Sequence, residues 1–223
     1  MIMDEGNTKE LEMLGPDPNE KYPIKALGNK LCFIKNIVHS KNCTIGDYTY
    51  YYDPLGTDDF EKNCIVNIFE HEHAHLRIGK FTCIAPRTLF ILDRAYMKLK
   101  GSSSYPFQLF EEGWENAGNC GTIPWCGDIE VGNDVFIGAG SILVPGAKLG
   151  DGAVLGPNST LSEEIPPYTM AGGSPARPVR KRFKQRVIDE LISIRWWEWD
   201  SEKISRNISA IMGTDINQLK NAK

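Results

Sequence analysis

Between residues 131 and 165 the chain repeats itself every six residues. Val131, Ile137, Leu143, Leu149, Leu155 and Leu161 follow one another at that interval, and all are aliphatic. Glycine comes next four times, at Gly132, Gly138, Gly150 and Gly156. Four places after each aliphatic residue stand Val135, Ser141, Ala147, Ala153, Ser159 and Ile165, most of them small. A helix repeats at 3.6 residues and a strand at 2, so neither alone yields a strict six. A short strand followed by a tight corner does. Three such sides close a triangular coil of eighteen residues, and successive coils stack about 4.8 Å apart, as strands in any sheet do. The aliphatic residue points into the triangle, the small residue fits its narrow interior, and glycine relieves crowding at the corner. The spacing predicts Val131 stacked on Leu149, Ile137 on Leu155 and Leu143 on Leu161. An ordinary sheet with many turns, or a coil of the opposite hand, fits the six-residue rule less well. The expected fold is mostly β: a left-handed parallel β-helix with an inserted loop and C-terminal helices.

The phrase also occurs earlier. Ile78, Ile84 and Phe90 carry it, with Thr82 and Thr88 in the small positions, and Ile45–Gly46 begins it. Coils are therefore expected from the forties, with an irregular excursion and a strand over 53–75. From 92 to 127 the pattern is absent, and aromatics lie among Gly, Ser and Pro. A loop of that length is usually functional, and its aromatics predict that it is pinned against coils or a second subunit. After a Pro/Gly-rich exit with a basic end, Val187, Ile188, Leu191 and Ile194 share one helix face. Trp196, Trp197 and Trp199 are read as packing residues, and Asp200 caps a further helix. The expected division is an N-terminal extension over 1–22, the β-helix domain over 23–180, and a helical cap over 181–223 that covers an open strand edge.

Composition sets outer limits. With 223 residues, 41% hydrophobic and 24% charged, the chain is globular, and its net charge of -4 does not favour nucleic acid as partner. The acidic, polar start does not read as a signal peptide, and no apolar run is long enough to span a membrane, so a cytoplasmic protein is expected. Six cysteines without paired spacing read as reduced thiols. Three histidines, His71, His73 and His75, fall on one face if 70–76 is a strand. Three imidazoles so placed can bind zinc or nickel, though a polar strand near a subunit edge is the plainer reading. No phosphate-loop or dinucleotide fingerprint is present.

The segments "YPIK", "IGKFTCIAP", "YPF", "VGNDVFIGAGSILVPGAKLGDGAVLG", "MAGGSPARPVRKRF" and "IRWWEWD", in that order, carry a closer likeness. Together they resemble the xenobiotic acetyltransferases of the hexapeptide-repeat class, which include streptogramin A acetyltransferases and hexapeptide-type chloramphenicol acetyltransferases. The resemblance runs from about Pro23 to Ile211. It implies a homotrimer in which acetyl-CoA lies between adjacent β-helices, a small-molecule acceptor hydroxyl, no metal requirement, and a loop histidine as general base. A hydroxyl attacking a thioester needs a base in hydrogen-bond reach, tuned near neutral pH.

The chain departs from the family at that base. The family histidine falls on Met97, which cannot take a proton, and the last histidine of the chain is His75. His71, His73 or His75 is one candidate replacement. A carboxylate raised by burial, Asp93, Glu111 or Glu112, is another. The remaining alternative is a non-catalytic CoA- or ligand-binding trimeric homologue. The resemblance further implies that Tyr50, Met97, Pro106, Phe107 and Phe136 face the acceptor, with Phe136 standing where the family has Trp. For the cofactor it implies Ala139, Gly156 and Pro157 on late-coil turns, and Gly172, Gly173 and Arg177 in the exit loop. Lys181 and Arg182 supply positive charge there.

Overall fold

The computed structural model describes residues 15–67, 74–93, 102–116 and 126–222. Chain contacts divide these into two compact units. One is Pro18–Phe183, and the other joins Lys184–Lys223 with the described residues up to Asp17.

The first unit is the coil stack. It begins with β1 (Leu31–Phe33), β2 (Cys43–Ile45) and β3 (Tyr50–Tyr52), then a one-turn α1 (Phe60–Cys64) and β4 (Ile65–Val66). Next come β5 (Leu76–Ile78), β6 (Cys83–Ile84) and β7 (Leu89–Ile91). After the insertion follow β8 (Ile129–Val131), β9 (Phe136–Ile137), β10 (Ile142–Leu143), β11 (Lys148–Leu149), β12 (Val154–Leu155) and β13 (Thr160–Leu161). The stack closes with β14 (Glu164–Ile165), β15 (Thr169–Gly173) and β16 (Ala176–Lys181). Every third strand pairs in parallel, giving three faces in the orders β1-β3-β6-β9-β12-β15-β16, β14-β11-β8-β5-β2 and β13-β10-β7-β4. Only the two ends of the first face are antiparallel, β1 on β3 and β15 on β16. This is the left-handed parallel β-helix that the six-residue repeat predicts.

The register follows the repeat. Leu149 pairs with Val131, Leu155 with Ile137, and Leu161 with Leu143. The small positions Ser141, Ala147 and Ala153 are fully buried, as are Thr82 and Thr88. The last coil is two residues short. Leu149 pairs with Ile165 and Leu155 with Ala171, each sixteen residues on rather than eighteen. Ile165 therefore takes the aliphatic strand position and not the small one assigned from spacing. Over 53–75 the structure holds both an excursion and a strand, as expected. Helix α1 brings Phe60 (1% exposed) over the core, and β4 returns to pair with β7, supplying the third side of the first coil.

The Pro/Gly-rich exit is not a loop. Gly172, Gly173 and Arg177 lie in a hairpin, β15 against β16, with a cis Ser174–Pro175 peptide at its tip. The backbone explains why sequence alone reads it as a loop: Gly and Pro are poor strand formers, and an edge strand tolerates Pro because its outer side has no partner.

One corner of the stack is a column of left-handed residues: Tyr48, Phe81, Asp134, Gly152 and Tyr168. The rings of Tyr48 and Phe81 stack 4.7 Å apart. At Gly152 a side chain is impossible, since a Cβ would stand 2.4 Å from the Tyr168 ring. Arg182 closes this corner. Its Nη1 donates to the Gly152 carbonyl at 2.6 Å and lies 3.9 Å from Asp134, and the guanidinium sits over the Tyr168 and Phe183 rings. The Tyr168 hydroxyl is buried without a hydrogen-bond partner among the described residues. Burial raises the Asp134 carboxyl to about 6, with Arg182 opposing and Asp151 adding to the shift.

In the second unit, α2 (Gln185–Ile194) buries Ile188 and Leu191, and α3 (Ser201–Ile211) starts at Asp200, whose carboxylate accepts from the Lys203 N–H at 2.7 Å. A short α4 (Ile216–Lys220), not anticipated from sequence, starts in the same way at Asp215. Trp196 and Trp197 are 9% and 1% exposed, consistent with a packing role.

Two outcomes follow. Leu143, wholly buried, sits mid-stack, and Leu143→Ala is expected to cost ~2–5 kcal/mol in denaturant unfolding. Asp134 binds its proton more tightly folded than unfolded, so ionisation destabilises the fold as pH rises from the ordinary carboxyl range to about 6. Asp134→Asn should therefore gain stability relative to the parent as pH increases through that window, with the difference flat above it, as read from thermal melts between pH 4 and 8.

Candidate functional site

Strand alternation sorts the residues of the first face into two rows. Tyr51, Ile84, Ile137, Leu155 and Ala171 point inward and are buried. Their predecessors, Tyr50, Cys83, Phe136, Val154 and Met170, point outward in one register row. The near end of that row, with Leu31, Tyr52, Ile84 and Ala85, lines a shallow cavity of about 290 Å³. Such a volume lies at the lower edge of small-molecule sites, roughly 300–1,000 Å³. Its walls are aromatic and aliphatic. Phe136 is 45% exposed and Tyr52 37%, large apolar surface left facing solvent.

The polar groups in this cavity are few. The Tyr50 hydroxyl and the Cys83 thiol are hydrogen-bonded neighbours, and burial raises the pKa of both. Neither ionises at neutral pH, so the pair offers hydrogen bonding rather than a base. The structure thus brings together two of the expected acceptor-facing residues, Tyr50 and Phe136. Pro106 and Phe107 are not among the residues lining this cavity. Phe107 belongs to a separate aromatic cluster in which Tyr105, Phe107, Phe110 and Trp114 contact one another, with Tyr105 and Phe110 stacked at 5.2 Å. These rings stay 38–51% exposed, so the described part of the insertion is held together by its own aromatics. Met97 lies outside the described residues.

Cys83, Tyr52, Leu31 and Ala85 were not singled out by sequence. The signal for Cys83 was available: it precedes the inward Ile84 as Phe136 precedes Ile137 and Tyr50 precedes Tyr51.

Of the candidate bases, His71 and His73 lie outside the described residues. His75 is described, and its backbone N–H donates to the Asp128 carboxylate at 3.1 Å while its carbonyl accepts from Ile129. Asp93 is buried (4% exposed), and Glu111 and Glu112 are exposed, Glu112 at a left-handed backbone position. Among the described residues no group of three His, Cys, Asp or Glu is arranged to hold a metal ion. None of the described cysteines, Cys32, Cys43, Cys64, Cys83 and Cys126, is in a disulfide.

The expected cofactor residues divide by geometry. Ala139, Gly156 and Pro157 stack at one corner, where the Asn158 N–H donates to the Ala139 carbonyl and the Gly156 N–H to that of Ala171. Ser159 Oγ accepts from the Gly173 N–H at 3.2 Å, tying the hairpin to the same corner. The glycines here differ from those elsewhere in the stack. A Cβ on Gly138 or Gly150 would lie 2.5 Å from the backbone nitrogen of Pro157 or Pro167. On Gly156 the nearest atom would be the Ala171 carbonyl at 3.4 Å, and on Gly172 it would be Ser159 Oγ at 3.7 Å. Coil packing therefore requires Gly138 and Gly150 but not Gly156 and Gly172. The basic residues are occupied within the chain. Arg177 pairs with Glu163 at 3.0 Å and Arg182 is held as described above, while the backbone of Lys181 stands opposite Thr169 in the hairpin.

Among the described residues no helix is long and apolar enough to cross a membrane. Residues 128–163 match the family model "Bacterial transferase hexapeptide (six repeats)", the stretch that forms β8 to β13. A virginiamycin A acetyltransferase of Staphylococcus aureus is 42% identical over 92% of this chain and 93% of its own length. A probable macrolide acetyltransferase of Lysinibacillus sphaericus is 38% identical over 61% of this chain and 76% of its own. A chloramphenicol acetyltransferase of Agrobacterium fabrum is 36% identical over 75% and 80%. With its coils where the repeats match, and a relative alike along nearly its whole length, this chain belongs to the hexapeptide-repeat acetyltransferases of the streptogramin and chloramphenicol type.

Proposed function

We propose that the protein transfers an acetyl group from acetyl-CoA to the hydroxyl of a small, largely apolar acceptor such as a xenobiotic or antibiotic, working as a homotrimer. The observation that carries the acceptor side is the outward row Tyr50–Cys83–Phe136 and its apolar cavity. An aromatic wall with a single hydroxyl–thiol pair suits a ligand that is mostly hydrocarbon and carries few polar groups. Phe136 in place of the family Trp keeps the wall and removes an indole N–H donor, so the preferred acceptor differs from one that uses that donor.

The cofactor side is supported by the corner at Gly156 and Gly172. Both positions lack a side chain that the fold itself would tolerate, which leaves backbone open to close approach by a ligand. Ala139 and Pro157 flank them. Arg177, opposite Gly172 in the hairpin, contributes positive potential there, although it is already paired to Glu163; Lys181 and Arg182 stand at the other end of β15 and add only a longer-range field.

Transfer breaks the thioester C–S bond, forms a C–O ester bond and passes the hydroxyl proton towards the departing thiolate. A base at Met97 is missing from this scheme. The Tyr50–Cys83 pair does not replace it, because burial holds both groups protonated. Loss of a general base costs typically ~10²–10⁴-fold in rate, while orientation of the two reactants keeps a residual reaction.

The deciding experiment is thiol release from acetyl-CoA with streptogramin A, chloramphenicol and simple sugar acceptors, in wild type and Met97→His. The expected result is slow turnover of an apolar acceptor, raised about 10²-fold or more by Met97→His. A wild type and a variant both inert on every acceptor, yet retaining CoA, would instead establish the non-catalytic binding role. On the cofactor side, Gly156→Leu should raise the KM for acetyl-CoA about tenfold with little change in melting temperature, because the side chain enters ligand space and not coil packing. An unchanged KM would remove this corner from the site.

A further inference from the structure

A second cavity, of about 310 Å³, shares no residue with the first. It is lined by Tyr51, Phe60, Cys64 and Leu89, and by the polar groups of Asp53, Asn63 and Arg87, with Gly56 at its edge. Strand β3 separates the two cavities by simple alternation: Tyr50 and Tyr52 face the first, and Tyr51 between them faces the second.

Its floor is apolar and closely packed. Tyr51 and Cys64 are each 3% exposed and Phe60 is 1%, and the Tyr51 and Phe60 rings pack at 4.8 Å. Its polar rim is unevenly satisfied. The Asp53 carboxylate accepts from the Tyr51 hydroxyl at 2.8 Å and from the Leu55 N–H at 2.9 Å. Arg87 is fixed at its backbone, where it adopts a left-handed φ of 61° at a coil corner and donates its N–H to the Tyr51 hydroxyl at 3.3 Å. Its guanidinium forms no ion pair with any described residue, and neither does the Asn63 amide hydrogen-bond to one. A left-handed non-glycine residue is an uncommon choice, and here it aims a long cation at the mouth of an aromatic-floored cavity.

We infer that this cavity binds a small organic carboxylate with a short apolar body. The carboxylate pairs with the Arg87 guanidinium, which presents parallel N–H donors suited to two oxygens, and the Asn63 amide adds a donor. The apolar body lies against Leu89, with the buried Phe60 and Tyr51 rings behind it. Asp53 at the same rim sets the charge: with one cation and one anion present, a monoanion is accommodated and a dianion such as phosphate is repelled. This site is independent of acetyl transfer and does not rest on it.

The probe is 4-fluorobenzoate, followed by fluorine NMR on the intact protein, with 4-fluorobenzamide as the neutral isostere and inorganic phosphate as competitor. Saturable binding of the benzoate is expected, with affinity reduced at least about tenfold for the benzamide and in Arg87→Ala, and partly retained in Arg87→Lys. Asn63→Ala, on an exposed side chain, serves as a second variant and should weaken binding more mildly, and Phe136→Ala in the other cavity should leave it unchanged. Phosphate should not compete. Absence of saturable binding, equal binding of the benzamide, full retention in a folded Arg87→Ala protein, loss in Phe136→Ala, or displacement by phosphate would each overturn the assignment.

Discussion

Everything in the coil stack depends on how closely one backbone corner can approach the next. Parallel strands in register must lie within hydrogen-bond reach, so each corner presses on the corner above. At Gly46, Gly79, Gly132, Gly138 and Gly150 the space left is too small for even one carbon. This steric condition lets the inward aliphatic row form a continuous core from residues far apart in sequence. Ile45, Ile78, Val131, Leu149 and Ile165 stand on one face in one line. The core is therefore a linear array in which each coil depends mainly on its neighbours.

The same condition separates structure from chemistry. Inward positions carry a fixed volume, small at the corner and aliphatic in the strand. Outward positions carry almost none, and the residues with chemical character collect there: Tyr50, Cys83 and Phe136 in one row, and Arg87 at a corner. A corner glycine that packing does not require, such as Gly156, belongs with this second group. Only the distances distinguish it from Gly138, since in sequence both follow an aliphatic residue in the same way.

Much of the stack was legible because a period of six has few physical solutions. The pairings Val131–Leu149, Ile137–Leu155 and Leu143–Leu161 followed from counting alone. The exceptions have definite causes. The coil ending at Ile165 is two residues short, and a fixed count cannot register a deletion at a corner. The hairpin Thr169–Lys181 was read as a loop because Gly and Pro hide a strand that pairs on only one side. A strand was expected within 53–75, but two residues, Ile65 and Val66, are too few for alternation to place β4. For the site, the family likeness pointed to Tyr50 and Phe136, and the row between them supplied Cys83. Arg87 had no motif at all, since its placement depends on a left-handed corner and a helix folded over from residues 60–64.

The outward row has a consequence for how such a protein diversifies. Its members, Tyr50, Cys83 and Phe136, come from three coils that are 33 and 53 residues apart, yet stand side by side. Each side chain faces away from the interior, so exchanging one alters the lining of the cavity without disturbing the volume of the column behind it. A lineage can therefore sample new chemical partners one coil at a time while its architecture stays constant.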